Sequence, residues 1–139
     1  MHTPQDKRDR AQGTQADLVR KIHYEGLEGL NKILGERVDL YNLEHPCPPY
    51  GAVDMVYMGS ETAYPLEVKK DHGGHDLIGQ IMKYDLFFKM RLHLEHYRYV
   101  QAVTICKTYD GFALRELKKM GVQTLKYSTK GPRIGIAKV

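Results

Sequence analysis

Cysteine is nearly absent: Cys47 and Cys106 are the only two among 139 residues, far apart and in no CxxC arrangement. That excludes a disulfide framework and a thiolate zinc site, and both are read as small hydrophobes. No run approaches the roughly 18 uninterrupted apolar residues that a membrane span needs. The opening stretch MHTPQDKRDRAQGTQ lacks the apolar centre of a secretory signal. A soluble, cytoplasmic protein without a membrane partner is therefore expected. Acidic residues are missing altogether after Glu116, whereas Lys118, Lys119, Lys126, Lys130, Arg133 and Lys138 all lie beyond it. Such a basic flank suits nucleic acid or another polyanion, although the same charge also serves simply to solvate a surface.

What is present is enough for one compact domain with a real core, since 42% of the residues are hydrophobic. Residues 1–15 are polar and charged without apolar periodicity and read as a flexible arm, leaving 16–139 as a single domain. Val19, Ile22, Leu27, Leu30, Ile33 and Leu34 recur at helical spacing, which predicts a first helix over about 16–34 that stops at Gly35. Gly26 and Gly29 inside it either weaken the helix or mark a close approach. Residues 37–43 read as a strand, followed by the proline-rich turn EHPCPPYG. AVDMVYM (52–58), GSET (59–62) and AYPLEVKK (63–70) read as an antiparallel hairpin.

Leu77, Ile78, Ile81, Met82, Tyr84, Phe88 and Leu92 predict an amphipathic helix from Asp76 to about Glu95. YRYVQAVTIC follows as a strand, DGFALRELKKMG as a short helix capped by Asp110 and stopped by Gly121, and VQTLKYS as a last strand. That order, a helix, three strands and then alternating helices and strands, implies an α/β sandwich with a mixed central sheet.

Within the hairpin, Pro65, Glu67 and Lys69 share one face of their strand, while Leu66 and Val68 share the other. On the preceding strand Asp54 is the one acid on a face that it shares with Ala52, Val56 and Met58. A buried carboxylate is costly unless something pairs with it. Cross-strand neighbours approach to about 5 Å, so Asp54 and Glu67 would repel each other and be stabilised together by a divalent cation. Hard oxygen ligands select Mg²⁺ or Mn²⁺ over zinc. Lys69, on the same face as Glu67, is placed to act on the attacking water.

Asp54, twelve residues and then Glu67-Val68-Lys69 resembles the PD-(D/E)XK nuclease superfamily, the restriction-endonuclease-like fold. The resemblance reaches from the first helix to about Tyr127. It implies a restriction-endonuclease-like α/β/α sandwich in which Asp54, Glu67 and the Val68 carbonyl hold Mg²⁺ (or Mn²⁺) and Lys69 stands beside the attacking water. The chain departs from the pattern before the first acid, where GAVD takes the place of a frequent proline. In GQIMKYDLFF, Gln80 and Tyr84 stand one turn apart on a helix. This resembles the QxxxY element of RecB-type exonucleases, where such side chains line the catalytic cleft. The family often adds a glutamate from the first helix, for which Glu25 and Glu28 are candidates, with Glu25 preferred.

Two histidine pairs, His72/His75 and His93/His96, compete as a zinc site. The first could instead touch a phosphate. A metal-dependent deoxyribonuclease is the expectation, structure- or end-selective, of a repair or phage type. A Holliday-junction-resolvase-like endonuclease working as a homodimer, or a nucleic-acid-binding module without catalysis, are the alternatives.

Overall fold

In the computed structural model, residues 4–92 and 96–139 are described, with side chains from Gln15 onward. Three helices and seven strands follow one another as α1 (Pro4–Leu34), β1 (Asp39–Pro46), β2 (Ala52–Met58), β3 (Thr62–Gly73), α2 (His75–Lys89), β4 (Tyr99–Val100), β5 (Val103–Tyr109), α3 (Gly111–Lys119), β6 (Gln123–Ser128) and β7 (Gly135–Lys138). The strands form one mixed sheet in the order β1-β2-β3-β5-β6-β7, with β4 pairing β3 beside that path. β1, β2 and β3 run antiparallel as a meander, β3, β5 and β6 run parallel, and β7 closes the far edge antiparallel to β6. This is the expected α/β sandwich.

Helix α1 covers one face. Its Val19, Ile22 and Leu30 close over Met55, Tyr57, Leu66, Val68, Ile105 and Leu125, and His23 Nδ1 lies 2.8 Å from the Tyr57 hydroxyl. Leu77, Ile81, Tyr84, Phe87 and Phe88 of α2, with Ala113 and Leu117 of α3, cover the other. A strand covered on both sides reads as an almost unbroken apolar run, and Ala63 to Val68 of β3 are all buried. Each fully buried leucine or isoleucine here contributes about 1.5–3 kcal/mol. That stability holds the one acid in the run, Glu67, inside.

The boundaries differ from the expected ones where polar residues dominate. α1 starts at Pro4 rather than near residue 16. The apolar periodicity lies in its later turns, and the polar turns before them can propagate from that nucleus at little cost. YRYVQAVTIC is not one strand but two, since β4 hydrogen-bonds Thr62 and Ala63 while β5 begins opposite Leu66. Strand β7 carries no alternation that would announce it. Gly26 does mark a close approach, because a Cβ there would meet the Ile136 side chain of β7. Gly35 and Gly121 have φ of 77° and 79° at the two helix ends that they were expected to terminate, and the Asp110 side chain accepts the Ala113 N–H at 3.0 Å as the cap of α3.

Candidate active site

The hairpin register places the two acids. Met58↔Ala63 through Met55↔Leu66 are paired, and the ladder stops there. The next position would set Asp54 opposite Glu67, and at this fork side chains replace the ladder bonds. The Asp54 backbone N–H donates to Glu67 Oε1 at 3.2 Å, and the Val68 N–H donates to Asp54 Oδ2 at 2.8 Å. The two carboxyl groups are within hydrogen-bonding reach of each other. Burial, followed by the negative charge of Asp54, pushes the Glu67 carboxyl well above the ordinary glutamate range. Only 5% of Glu67 is exposed.

From α2, Tyr84 borders the fork, and Gln80 stands one turn before it. Tyr84 is buried and donates its hydroxyl to the Ala52 carbonyl at 2.9 Å. Burial first, and then the charges of Glu67, Cys47 and Asp54, push its hydroxyl up to about 12. Gln80, one turn earlier, has a buried Oε1 without any hydrogen-bond partner, an orphaned acceptor of the kind that buried polar groups seldom remain. Lys69 Nζ does not point at Glu67 but pairs with Asp76 Oδ2 at 3.2 Å, in the first turn of α2.

Helix α1 supplies a residue that the sequence did not single out. Gln15 Nε2 donates to the Val68 carbonyl at 3.1 Å. With Ala16, Val19, Arg20, Leu43, Glu44 and Asp54 it lines a cavity of about 120 Å³ that opens at the fork. Glu44 sits there with a left-handed φ of 48°. Glu25 is elsewhere: its Oε1 accepts the Ile134 N–H at 2.9 Å, just before β7 and three strands from β3. Glu28 pairs with Lys32 at 4.0 Å on the exposed side of the helix. Glu25→Ala is accordingly expected to lower stability by about 1 kcal/mol, the worth of one such hydrogen bond, and to leave any cleavage rate unchanged. A thermal melt beside a turnover assay checks both.

Among the described histidines, His72 and His75 have partners other than each other. His72 Nδ1 lies 2.9 Å from Thr108 Oγ1, and His75 Nε2 lies 3.3 Å from Asp110 Oδ2. His96 borders an aromatic cavity with Tyr41, Phe87 and Tyr97, and its candidate partner His93 lies outside the described residues. Among the described residues no three His, Cys, Asp or Glu side chains form a metal-ligand group, and no helix is long and apolar enough to cross a membrane.

The donor set at the fork nevertheless fits a hard divalent cation. Two opposed carboxyl groups, one of them buried against its preference for charge, gain from a cation between them, and the Val68 carbonyl is a neutral oxygen nearby. Mg²⁺ ordinarily takes only one or two protein carboxylates and keeps several waters.

No family model matches the sequence, and no curated protein matches it. Two solved structures resemble the fold. An EndoMS–dsDNA complex superposes with a TM-score of 0.56 at 18% identity, covering 64% of this chain and 36% of that one. A repair endonuclease from Pyrococcus abyssi also gives 0.56 at 19% identity, over 67% of this chain and 39% of that one. The chain thus spans well under half the length of either protein.

Proposed function

We propose that this chain is a metal-dependent nuclease that hydrolyses DNA phosphodiester bonds at the Asp54–Glu67 fork. One observation carries the reading: two acids face each other where the β2–β3 ladder ends, and Glu67 is buried there with no ion pair among the described residues. A domain selected only for stability gains nothing from that arrangement. The fold's likeness to a repair endonuclease and to a DNA-bound EndoMS supports it and favours internal cuts over end-processing.

Asp54, Glu67 and the Val68 carbonyl would hold Mg²⁺ or Mn²⁺. When bound, the ion supplies neutralisation of charge on the phosphoryl oxygens. The chain's own residues do the rest. Lys69, released from Asp76, orients and polarises the attacking water. Gln15 fixes the direction of the Val68 carbonyl. Tyr84, held by Ala52, walls the site from α2 and excludes water behind Glu67. Arg20, at the mouth of the cavity beside Asp54, receives a flanking phosphate.

The test is incubation of a covalently closed plasmid and an end-labelled linear duplex with Mg²⁺, Mn²⁺ or EDTA, for the wild type and Asp54→Asn. Nicked or linear plasmid is expected with metal and wild type only. Products from the labelled duplex alone would restore the exonuclease-like expectation. If neither DNA is cut, the nuclease reading fails.

A further inference from the structure

The fold sorts the unpaired cations into two groups. β3, β5 and β6 are parallel, so their carboxyl ends share one edge of the sheet, and Lys69 lies four residues before the end of β3. Register places Lys69 beside Cys106 and Cys106 beside Lys126, in one row and on one face. Lys126 is therefore two strands, about 10 Å, from the strand of Lys69. Lys70 and Lys107 come one residue later on their strands and turn to the opposite face. Lys130 and Arg133 continue the row in the β6–β7 connection, since Gly135 pairs Ser128 at the same edge. Lys70, Lys107, Lys126, Lys130 and Arg133 are all exposed, and none takes part in an ion pair among the described residues. The edge is also braced, because the Tyr127 hydroxyl of β6 donates to the Lys70 carbonyl of β3.

The acids near this edge are Asp71, Asp76 and Asp110, with Glu25 of α1 at the β6–β7 connection, where it accepts the Ile134 N–H. Asp76 is taken by Lys69, and Asp110 caps α3 and faces His75. Lys118 and Lys119 end α3, which returns antiparallel to the strands and so reaches the other edge, where Lys119 pairs with Glu116 at 3.2 Å. Lys138 lies opposite Leu125, one residue from the row of Lys126.

We propose that the carboxyl edge beyond Lys69, with Lys107 and Lys126 at its two faces and Lys130 in the β6–β7 connection, is the docking track for the backbone phosphates of the DNA strand leading away from the scissile bond. This rests on the nuclease reading of the fork. From β3 to β7 the track is about 15 Å long, which at 3.4 Å per nucleotide of one duplex strand is about four nucleotides. The contacts are to phosphate and therefore carry register and affinity rather than sequence choice.

The experiment is a salt titration of binding to a labelled DNA duplex in EDTA, so that nothing is cut, for wild type, Lys107→Ala, Lys126→Ala, Lys130→Ala, their triple combination and Lys118→Ala. Each track variant is expected to weaken binding and to lower the slope of log affinity against log salt by about 1, and the triple variant by about 3. Lys118→Ala should match the wild type. All five variants replace exposed lysines, so their melting temperatures should be unchanged, and lost affinity then reports contact rather than folding. Equal slopes for track and Lys118 variants overturn the track, and if the wild type still nicks plasmid the fork reading survives. A wild type that shows no salt-sensitive binding and cuts nothing removes both.

Discussion

Replacing Glu67 by glutamine is expected to abolish cleavage, by at least about 10³-fold, and at the same time to make the metal-free protein more stable. Glutamine keeps the shape of the side chain, and its Oε1 can still accept the Asp54 N–H now bonded to Glu67 at 3.2 Å. Its Nε2 can donate to the Asp54 carboxylate without the proton uptake that folding demands of Glu67. Removing the cost of burying and protonating this carboxyl is worth about 1–3 kcal/mol at neutral pH, which moves the melting point of a domain of this size up by several degrees.

The pH dependence has a definite sign. Burial and the Asp54 charge raise the folded-state pKa of Glu67 above its ordinary 4.5. Between those two values the folded state holds a proton that the unfolded state has lost, so metal-free stability falls as pH rises from about 4.5 to the folded value and levels off above it. The glutamine variant lacks that slope. Magnesium should raise the melting temperature of the wild type at neutral pH and leave the variant nearly unmoved. Calorimetry in EDTA and in Mg²⁺ across pH, beside a plasmid assay, reads all of this. A glutamine variant that cuts as well as wild type removes Glu67 from the chemistry. One that is less stable than wild type in EDTA means that the fork compensates its own charge.

The fork could be anticipated because both of its determinants are local. The GSET turn and the alternation on either side fix the hairpin register, and the register alone sets position 54 against position 67. β2 accordingly runs over exactly the residues that its alternation marked. What was not legible depends on height along an element rather than on phase around it. The stripe of Val19, Ile22 and Leu30 tells which side of α1 meets the sheet, but not which turn passes over the fork. Glu25 was preferred, yet it lies ten residues, about 15 Å along the helix axis, from Gln15, the residue that reaches the Val68 carbonyl. Glutamine at that point carries no charge to draw attention. β7 escaped for a related reason: GIAK has two side chains of any size, and it becomes a strand through pairing with β6 and contact with Gly26 of α1. The split of the C-terminal lysines between two edges likewise follows from strand direction, which composition cannot express.

Lys69→Ala is expected to reduce turnover by about 10²–10⁴-fold, the range over which a positioned proton-transfer group acts, while changing stability by less than about 1 kcal/mol. The small stability effect follows from the partner: Asp76 is 72% exposed and Lys69 26%, and ion pairs this open to solvent contribute little. The hydrogen bond and charge of Lys69 lower the Asp76 carboxyl pKa, so the pair persists at neutral pH and holds the ammonium group aside. Asp76→Asn should release it and leave turnover at or above the wild-type rate, within a few-fold. The split between kinetic parameters decides what Lys69 does. A group acting on the attacking water lowers kcat and leaves KM and its salt dependence as they were. A group that only grips phosphate raises KM, flattens the salt slope by about 1 and spares kcat at saturation. The position of Lys69 predicts the first outcome: it follows Glu67 by two residues on the same face, whereas Lys107, Lys126 and Lys130 belong to other strands or to the β6–β7 connection. If Lys69→Ala instead behaves like Lys107→Ala, the ammonium belongs to the docking track, and Asp54, Glu67 and a bound cation are left to activate water without a lysine.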